Sequence, residues 1–409
     1  MHAALLALLT LGVQPVHGDD LAGHGGPVSA LAMAGDAVLS GSFDTRAIRW
    51  SLQRSAADRV LHVHEGNVSA VAFAPDGTAV TAGQDGRVAI WAAEGDAAPV
   101  LHPLHEAPVA ALSIGPDGSI ASAGWDGRIG GISADGQAYH HEAHQSQVTG
   151  VAHLEDGRIV SVGGDLRLRI WDGTDPAGGL DLPAQPNGLA RGNAGLAVIF
   201  ADGALRILDP DEGILRERFL AERPLIAVAA AAGRIAVAGI DGTVWLLDEA
   251  GTSPPTMLDA GQGPVWALAL SAQELLTGGA DGRIRRWSAA DGRPLGTGAT
   301  RAQAQPEDGS RGAEVWRACA ACHTVGPDDQ NRAGPTLHAI FGRRAGTAPG
   351  YAYSSALRTL DLVWTPETVS ALFEHGPASF TPGSRMPDQR IADPADRAAL
   401  MEYLARVTR

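Results

Sequence analysis

The sequence predicts a multidomain protein in which an all-β propeller of seven blades precedes a second domain of a different kind. Three observations carry this expectation. A unit of about 40 residues recurs through the first part of the chain, which is the period of a propeller blade. Within each copy, apolar and polar residues alternate across short runs separated by Asp-Gly turns, the chemistry of strands and hairpins rather than helices. The repeat stops after Trp287, and both cysteines of the 409-residue chain lie beyond that point.

At the amino end, MHAALLALLTLGVQPVHGDD carries an apolar run from Ala3 to Val13 and small residues near Gly18, before Asp19. This resembles a secretory signal peptide over residues 1–18 and implies export, for example to a periplasm. The alternative is a frayed first strand. The run is too short to span a bilayer, no later stretch could span one, and no transmembrane segment is expected.

Four copies of the repeat are clear: HGGPVSALAMAGDAVLSGSFDTRAIRW, HEGNVSAVAFAPDGTAVTAGQDGRVAIW, HEAPVAALSIGPDGSIASAGWDGRIGGI and HQSQVTGVAHLEDGRIVSVGGDLRLRIW. Three weaker copies end GNAGLAVIFADGALRIL, AAGRIAVAGIDGTVWLL and AQELLTGGADGRIRRW. Their turn aspartates, Asp44, Asp85, Asp126, Asp165, Asp202, Asp241 and Asp281, are 41, 41, 39, 37, 39 and 40 residues apart. Seven copies imply seven blades, expected over residues 19–297.

These copies resemble the WD-repeat propellers, whose blades are four-stranded sheets tied by a buried hydrogen-bonded set of His, Ser or Thr, Asp and Trp. The resemblance assigns complete sets to His24, Ser40, Asp44 and Trp50, to His64, Thr81, Asp85 and Trp91, and to His144, Ser161, Asp165 and Trp171. The third copy has His105, Ser122 and Asp126 but Ile132 for Trp. The seventh has Thr277, Asp281 and Trp287 but Gly261 for His. The fifth and sixth keep Asp202 and Asp241, with Val198 and Val237 at the hydroxyl position, so they are expected to be held mainly by apolar packing.

Evenly spaced histidines invite a metal reading and evenly spaced aspartates a catalytic one. Repetition argues against both, because residues recurring once per blade stand far apart around a ring, whereas metal ligands converge on one point. By the same resemblance Phe43, Trp125 and Ile240, just before turn aspartates, lie on the face most used by partners; such residues anchor an interface or cover a neighbouring strand. Either the segment before His24 or RPLGTGA after Asp291 could supply the last outer strand.

Composition agrees with a folded protein: 45% hydrophobic residues, 19% charged, and 52 glycines against 7 Phe and 4 Tyr, as tight turns require. The net charge is −15, and after Gln305 12 acids stand against 11 arginines, so the negative excess lies upstream. An acidic propeller is not a partner for nucleic acid. The chain contains no lysine.

Residues 298–309, GATRAQAQPEDG, have the composition of a linker, and a domain over 310–409 follows. In Cys319-Ala320-Ala321-Cys322-His323 the spacing lets two thiols add to the two vinyl groups of one haem edge, while the next residue turns its imidazole to the iron. A disulfide leaves the histidine unexplained, and zinc needs further ligands at defined spacing.

The sequence AGPTLHAIFGRRAGTAPGYAYSSAL, LVWTPETVSALF and FTPGSRMPDQR that follows resembles class I cytochromes c of the mitochondrial and bacterial carrier type, in order over about residues 310–407. The resemblance implies an all-α domain with one haem c, covalent through two thioethers at Cys319 and Cys322. It implies His323 Nε2 as proximal ligand, the Pro335 carbonyl as acceptor from the other ring nitrogen, and Met386 as distal ligand. Arg343, Tyr353 and Trp364 fall around the haem propionates, and Gly312 and Trp316 face Tyr403 where the first and last helices cross. Leu357 and Phe373 replace polar residues common in relatives, which implies a drier pocket. Met401 belongs to the apolar stripe of a helix beginning at Pro394 behind the cap Asp393. His338 and His375 are the remaining rivals for the iron.

The whole is expected to be an exported one-electron carrier with no catalytic residues, its propeller docking a redox partner protein at the blades or the haem edge. Two alternatives stand beside it. The propeller could hold its own cofactor and pass electrons to the haem as an oxidoreductase, or a labile Met386 could make the haem a sensor.

Overall fold

The computed structural model describes residues 20–95, 97–296, 310–320, 323–326, 334–351, 353, 355–382, 386 and 390–408. The expected signal peptide, the linker and Cys322 lie outside the described residues. Between Leu21 and Ser288 the chain forms seven four-stranded antiparallel sheets, the blades of a propeller. Blade one pairs Val28–Ala34, Ala37–Ser42, Ala47–Ser51 and Ala56–Leu61 in sequence order, and blades two to six repeat that order.

One blade cannot bury both of its faces, and the core is accordingly distributed between blades. Among the described residues seven clusters of buried side chains occupy the seven junctions; Leu39, Leu61, Val68 and Trp91, for example, fill the gap between blades one and two. The inner strand of every blade is bulged at its second residue. A bulge re-aims a side chain, and in four blades that side chain ties to the next blade. Ser29, Ser69, Thr149 and Asn187 donate to the carbonyls of Val68, Val109, Pro186 and Leu225 at 2.5, 2.5, 2.9 and 2.8 Å.

The hydrogen-bonded sets lie inside the blades. In blade one His24 Nδ1 meets Asp44 at 3.0 Å, His24 Nε2 meets Ser40 Oγ at 2.6 Å, and Trp50 Nε1 donates to the same Oγ at 2.8 Å. Blades two and four repeat this through Thr81 and Ser161. In blade three Ser122 bonds the Gly130 carbonyl at 3.1 Å and Ile132 fills the core.

One expectation is corrected. In blade seven the histidine's role falls to Gln262, not Gly261: Nε2 donates to Asp281 at 3.0 Å and Oε1 accepts from Thr277 at 2.7 Å. An amide has one donor end and one acceptor end, so it bridges the same two partners that a neutral imidazole does. Blade five packs largely through apolar side chains and adds a buried cation to them. Arg206, only 3% exposed, pairs with Asp202 at 2.8 Å and Glu217 at 2.5 Å and lies over the Phe200 ring at 4.4 Å. In blade six buried Trp245 takes the corresponding place, opposite Val237.

Both candidates for ring closure are used. Leu21 and Ala22 pair with Ile284 and Arg283, completing the blade formed by Val265–Leu270, Glu274–Gly279 and Arg283–Ser288. Pro294 bridges Trp287 and Leu295 N–H donates to the Arg286 carbonyl at 2.8 Å, further along the same strand.

The helices described beyond the propeller are α1 Arg311–Ala320, α2 Ser355–Thr359, α3 Pro366–His375, α4 Pro377–Phe380 and α5 Pro394–Val407. Local sequence sets their ends. Thr365 and Thr368 form a reciprocal cap on α3 with Pro366 in the first turn, and Asp393 accepts from Ala395 N–H ahead of Pro394 on α5. No helix among the described residues is long and apolar enough to cross a membrane.

Candidate haem site

Helices α1 and α5 cross at Gly312, where a Cβ would run into the Ala399 carbonyl and come within 2.6 Å of Tyr403 Cβ. Trp316 packs on Tyr403 with ring centroids 6.2 Å apart. Around this crossing Leu400, Leu404, Ile340, Val369 and Phe373 form one core, and Met386 and Trp364 lean on it.

The core walls a cavity of about 660 Å³ that opens toward the propeller. A cleft of this volume, largely apolar and with a few polar side chains converging on it, has the form of a cofactor or ligand site. Cys319, His323, Pro335, Arg343, Tyr353, Trp364 and Met386 all line it. Cys319, 7% exposed, stands at the end of α1, and His323 follows with its N–H on the Cys319 carbonyl at 3.0 Å. His323 Nδ1 meets the Pro335 carbonyl at 2.8 Å. A carbonyl only accepts, so Nδ1 carries the proton. Glycine at 334 permits the ring's approach, since a Cβ there would strike the imidazole.

Among the described lining residues, His323 and Met386 are the only histidine and methionine. Met401 is buried in the core, and neither it nor His338 or His375 reaches the cavity wall. Arg343 donates to the carbonyls of Thr336 and His338 at 2.6 and 2.9 Å, and burial pushes its pKa down. A cation bonded to neutral carbonyls in an apolar wall fits an anionic group entering the cavity. Burial likewise pushes the Tyr353 hydroxyl up. Leu357 and Phe373 line the wall with carbon, as their positions in the sequence suggest.

Two wall residues escaped sequence reasoning. Thr381, 2% exposed, directs its hydroxyl to the Pro377 carbonyl at 3.1 Å one helical turn back; its only signal was its place before Pro-Gly. Arg46 belongs to blade one, 305 residues from the tyrosine it meets, and local sequence carries no signal for that meeting.

Comparison with known proteins agrees with this geometry. The Cytochrome c family matches residues 309–408, and the WD domain, G-beta repeat family matches residues 57–92 and 136–172. Cytochrome c of Cannabis sativa is 34% identical over 109 residues, 26% of this chain and 96% of the relative. Cytochrome c of Ginkgo biloba is 35% identical over 113 residues (27% and 97%), and cytochrome c2 of Blastochloris viridis 34% over 103 residues (25% and 80%). A haem is the cofactor that this family implies, and the cavity's donors and its buried cation fit one. Through the helical region behind its seven-bladed WD-repeat propeller, the chain belongs to the cytochrome c family.

Proposed function

We propose that the protein is an exported one-electron carrier, holding a single haem c through thioethers at Cys319 and Cys322, with His323 and Met386 as axial ligands. The observation that carries this reading is the convergence of His323 and Met386 on one largely apolar cavity. A haem supplies reversible one-electron exchange at its iron when bound.

The residues supply everything else. Pro335, accepting from Nδ1, fixes the imidazole and assigns Nε2 to the iron. Met386 offers a soft thioether that favours the ferrous state and raises the reduction potential. Arg343, Tyr353 and Trp364 serve as donors around the propionates. Apolar Leu357, Phe373, Val369 and Leu400 exclude water and keep the charge change in a low-dielectric setting. His323 and Met386 would both hold the iron and so leave no open position for a substrate. The acidic propeller and the haem edge are the surfaces offered to a redox partner protein.

Protein made in a host that matures c-type cytochromes is expected to show, by intact mass, the chain plus one haem. Met386→Ala is expected to bind carbon monoxide when reduced at neutral pH, whereas the parent does not. A bare chain mass, or carbon monoxide binding by the parent, overturns the reading.

A further inference from the structure

We propose that the face of the propeller formed by blades seven, one and two is the seat of the chain's own cytochrome domain, and that this contact caps the mouth of the haem cavity. The proposal rests on the haem reading above, and adds that the carrier is gated by its own propeller.

Asp44 Oδ1 accepts from Arg46 N–H at 3.0 Å, holding the turn that presents Phe43 and Arg46 on the propeller surface. Arg46 Nη2 donates to the Tyr351 hydroxyl at 2.7 Å, and its guanidinium carbon lies 5.4 Å from the Tyr351 ring centre. Tyr351 stands edge-on to Tyr353 at 4.7 Å, and Tyr353 is wall to the cavity beside Arg343. A propeller cation is therefore two rings away from the group that faces the propionate side.

The cavity itself is shared. Its mouth is lined by Pro27, Phe43, Arg46, Asn67 and Asp281 of the propeller, together with the cytochrome residues within. Phe43 backs onto Trp266 of blade seven at 6.5 Å, which keeps the aromatic upright on the rim. Electron exchange between proteins depends on close approach to the haem edge, so a partner must displace this rim or wait for it to part. Among the described residues the contact includes one hydrogen bond and a cation over a ring, interactions that are weak one by one and reversible. Phe43, the exposed aromatic that the sequence offers to an outside partner, thus stands at the edge of a contact inside the chain and keeps 42% of its surface exposed.

The test uses the full-length holoprotein and Arg46→Glu, a rim residue outside the haem machinery. Radiolytic hydroxyl-radical labelling read by mass spectrometry reports Phe43 and Tyr351, with Trp125, 52% exposed on blade three, as internal standard. The variant is expected to label Tyr351 faster, relative to Trp125, by about twofold or more, and Phe43, already 42% exposed, by less. Its oxidation by a blue-copper protein should rise by a similar factor, and its oxidation by ferricyanide much less. Phe43→Asp, followed at Tyr351, guards against a folding defect in the first variant. Labelling ratios unchanged in both variants overturn the cap, as does equal acceleration with both oxidants. Labelling needs no haem, so a failed haem reading, seen as a bare chain mass, is told apart from a failed contact.

Discussion

At the scale of residues, the blade histidines illustrate how one group serves two partners. A carboxylate only accepts, so Nδ1 carries the proton toward Asp126 in blade three and Asp165 in blade four; Nε2 of His144 then accepts from the Ser161 hydroxyl, while the one Ser122 proton is shared between His105 Nε2 and the Gly130 carbonyl. This arrangement needs neutral imidazoles. Burial pushes the pKa of His105 and of His144 down, against the pull of Asp126 and Asp165. Burial pushes the Asp165 carboxyl up, but His144, Arg169 and the Gln145 N–H outweigh it and bring it down to about 2. The signs follow by linkage. A histidine with a depressed folded pKa contributes stability in full above its unfolded value of about 6.5, and loses it as the pH falls below that. The aspartates contribute above about 3.9 and lose it further down. Urea midpoints are expected to hold level from pH 8 to 7 and fall between pH 6.5 and 5; a flat profile to pH 5 contradicts the neutral-imidazole arrangement. Gln262 gives a second residue-scale prediction. Gln262→Ala strands the buried Thr277 hydroxyl, and is expected to cost about 2 kcal/mol in denaturant unfolding of the propeller.

At the scale of elements, the local rules of turns and caps explain most of what is seen. The turn aspartates accept from the N–H two residues on in six blades, for example Asp44 from Arg46 and Asp241 from Thr243. Such side-chain turns are written in Asp-Gly pairs, and the sequence shows them plainly. The sequence also holds a weaker period that is easily passed over: Arg169, Arg206 and Arg285 each stand four residues after a turn aspartate and pair with it at 2.7, 2.8 and 3.0 Å. In blade five that pair replaces the missing histidine. Gln262 was missed because its loop to Asp281 is one residue shorter than counting back from the aspartate suggests. In the helical region Gly312→Val is expected to force α1 off α5, lowering stability by about 3 kcal/mol and reducing haem incorporation, measured as haem per chain.

At the scale of the molecule, the ring must be closed by groups far apart in sequence. Leu21 and Ala22 lie on the strand edge at Ile284 and Arg283, so blade seven is stitched from both ends of the propeller. Arg286, 4% exposed, holds Glu274 with two bonds at 2.8 and 3.0 Å and reaches the Leu52 carbonyl of blade one at 2.9 Å. Arg286→Ala leaves a carboxylate without its partner across the closing seam, and a loss of about 3 kcal/mol is expected in thermal or urea unfolding. An unchanged midpoint would mean that the strand pairing alone closes the ring. The sequence by itself determined the number of blades, the hydrogen-bonded sets, the haem-binding segment and the cap of the last helix, because each is a pattern of near neighbours whose chemistry is local. Tertiary structure alone decided that both ends of the propeller share the closing strand, that Gln262 stands in for histidine, that Thr381 joins the cavity wall, and that Arg46 meets Tyr351. Each of these depends on which distant surfaces are brought into contact, and no spacing along the chain encodes that.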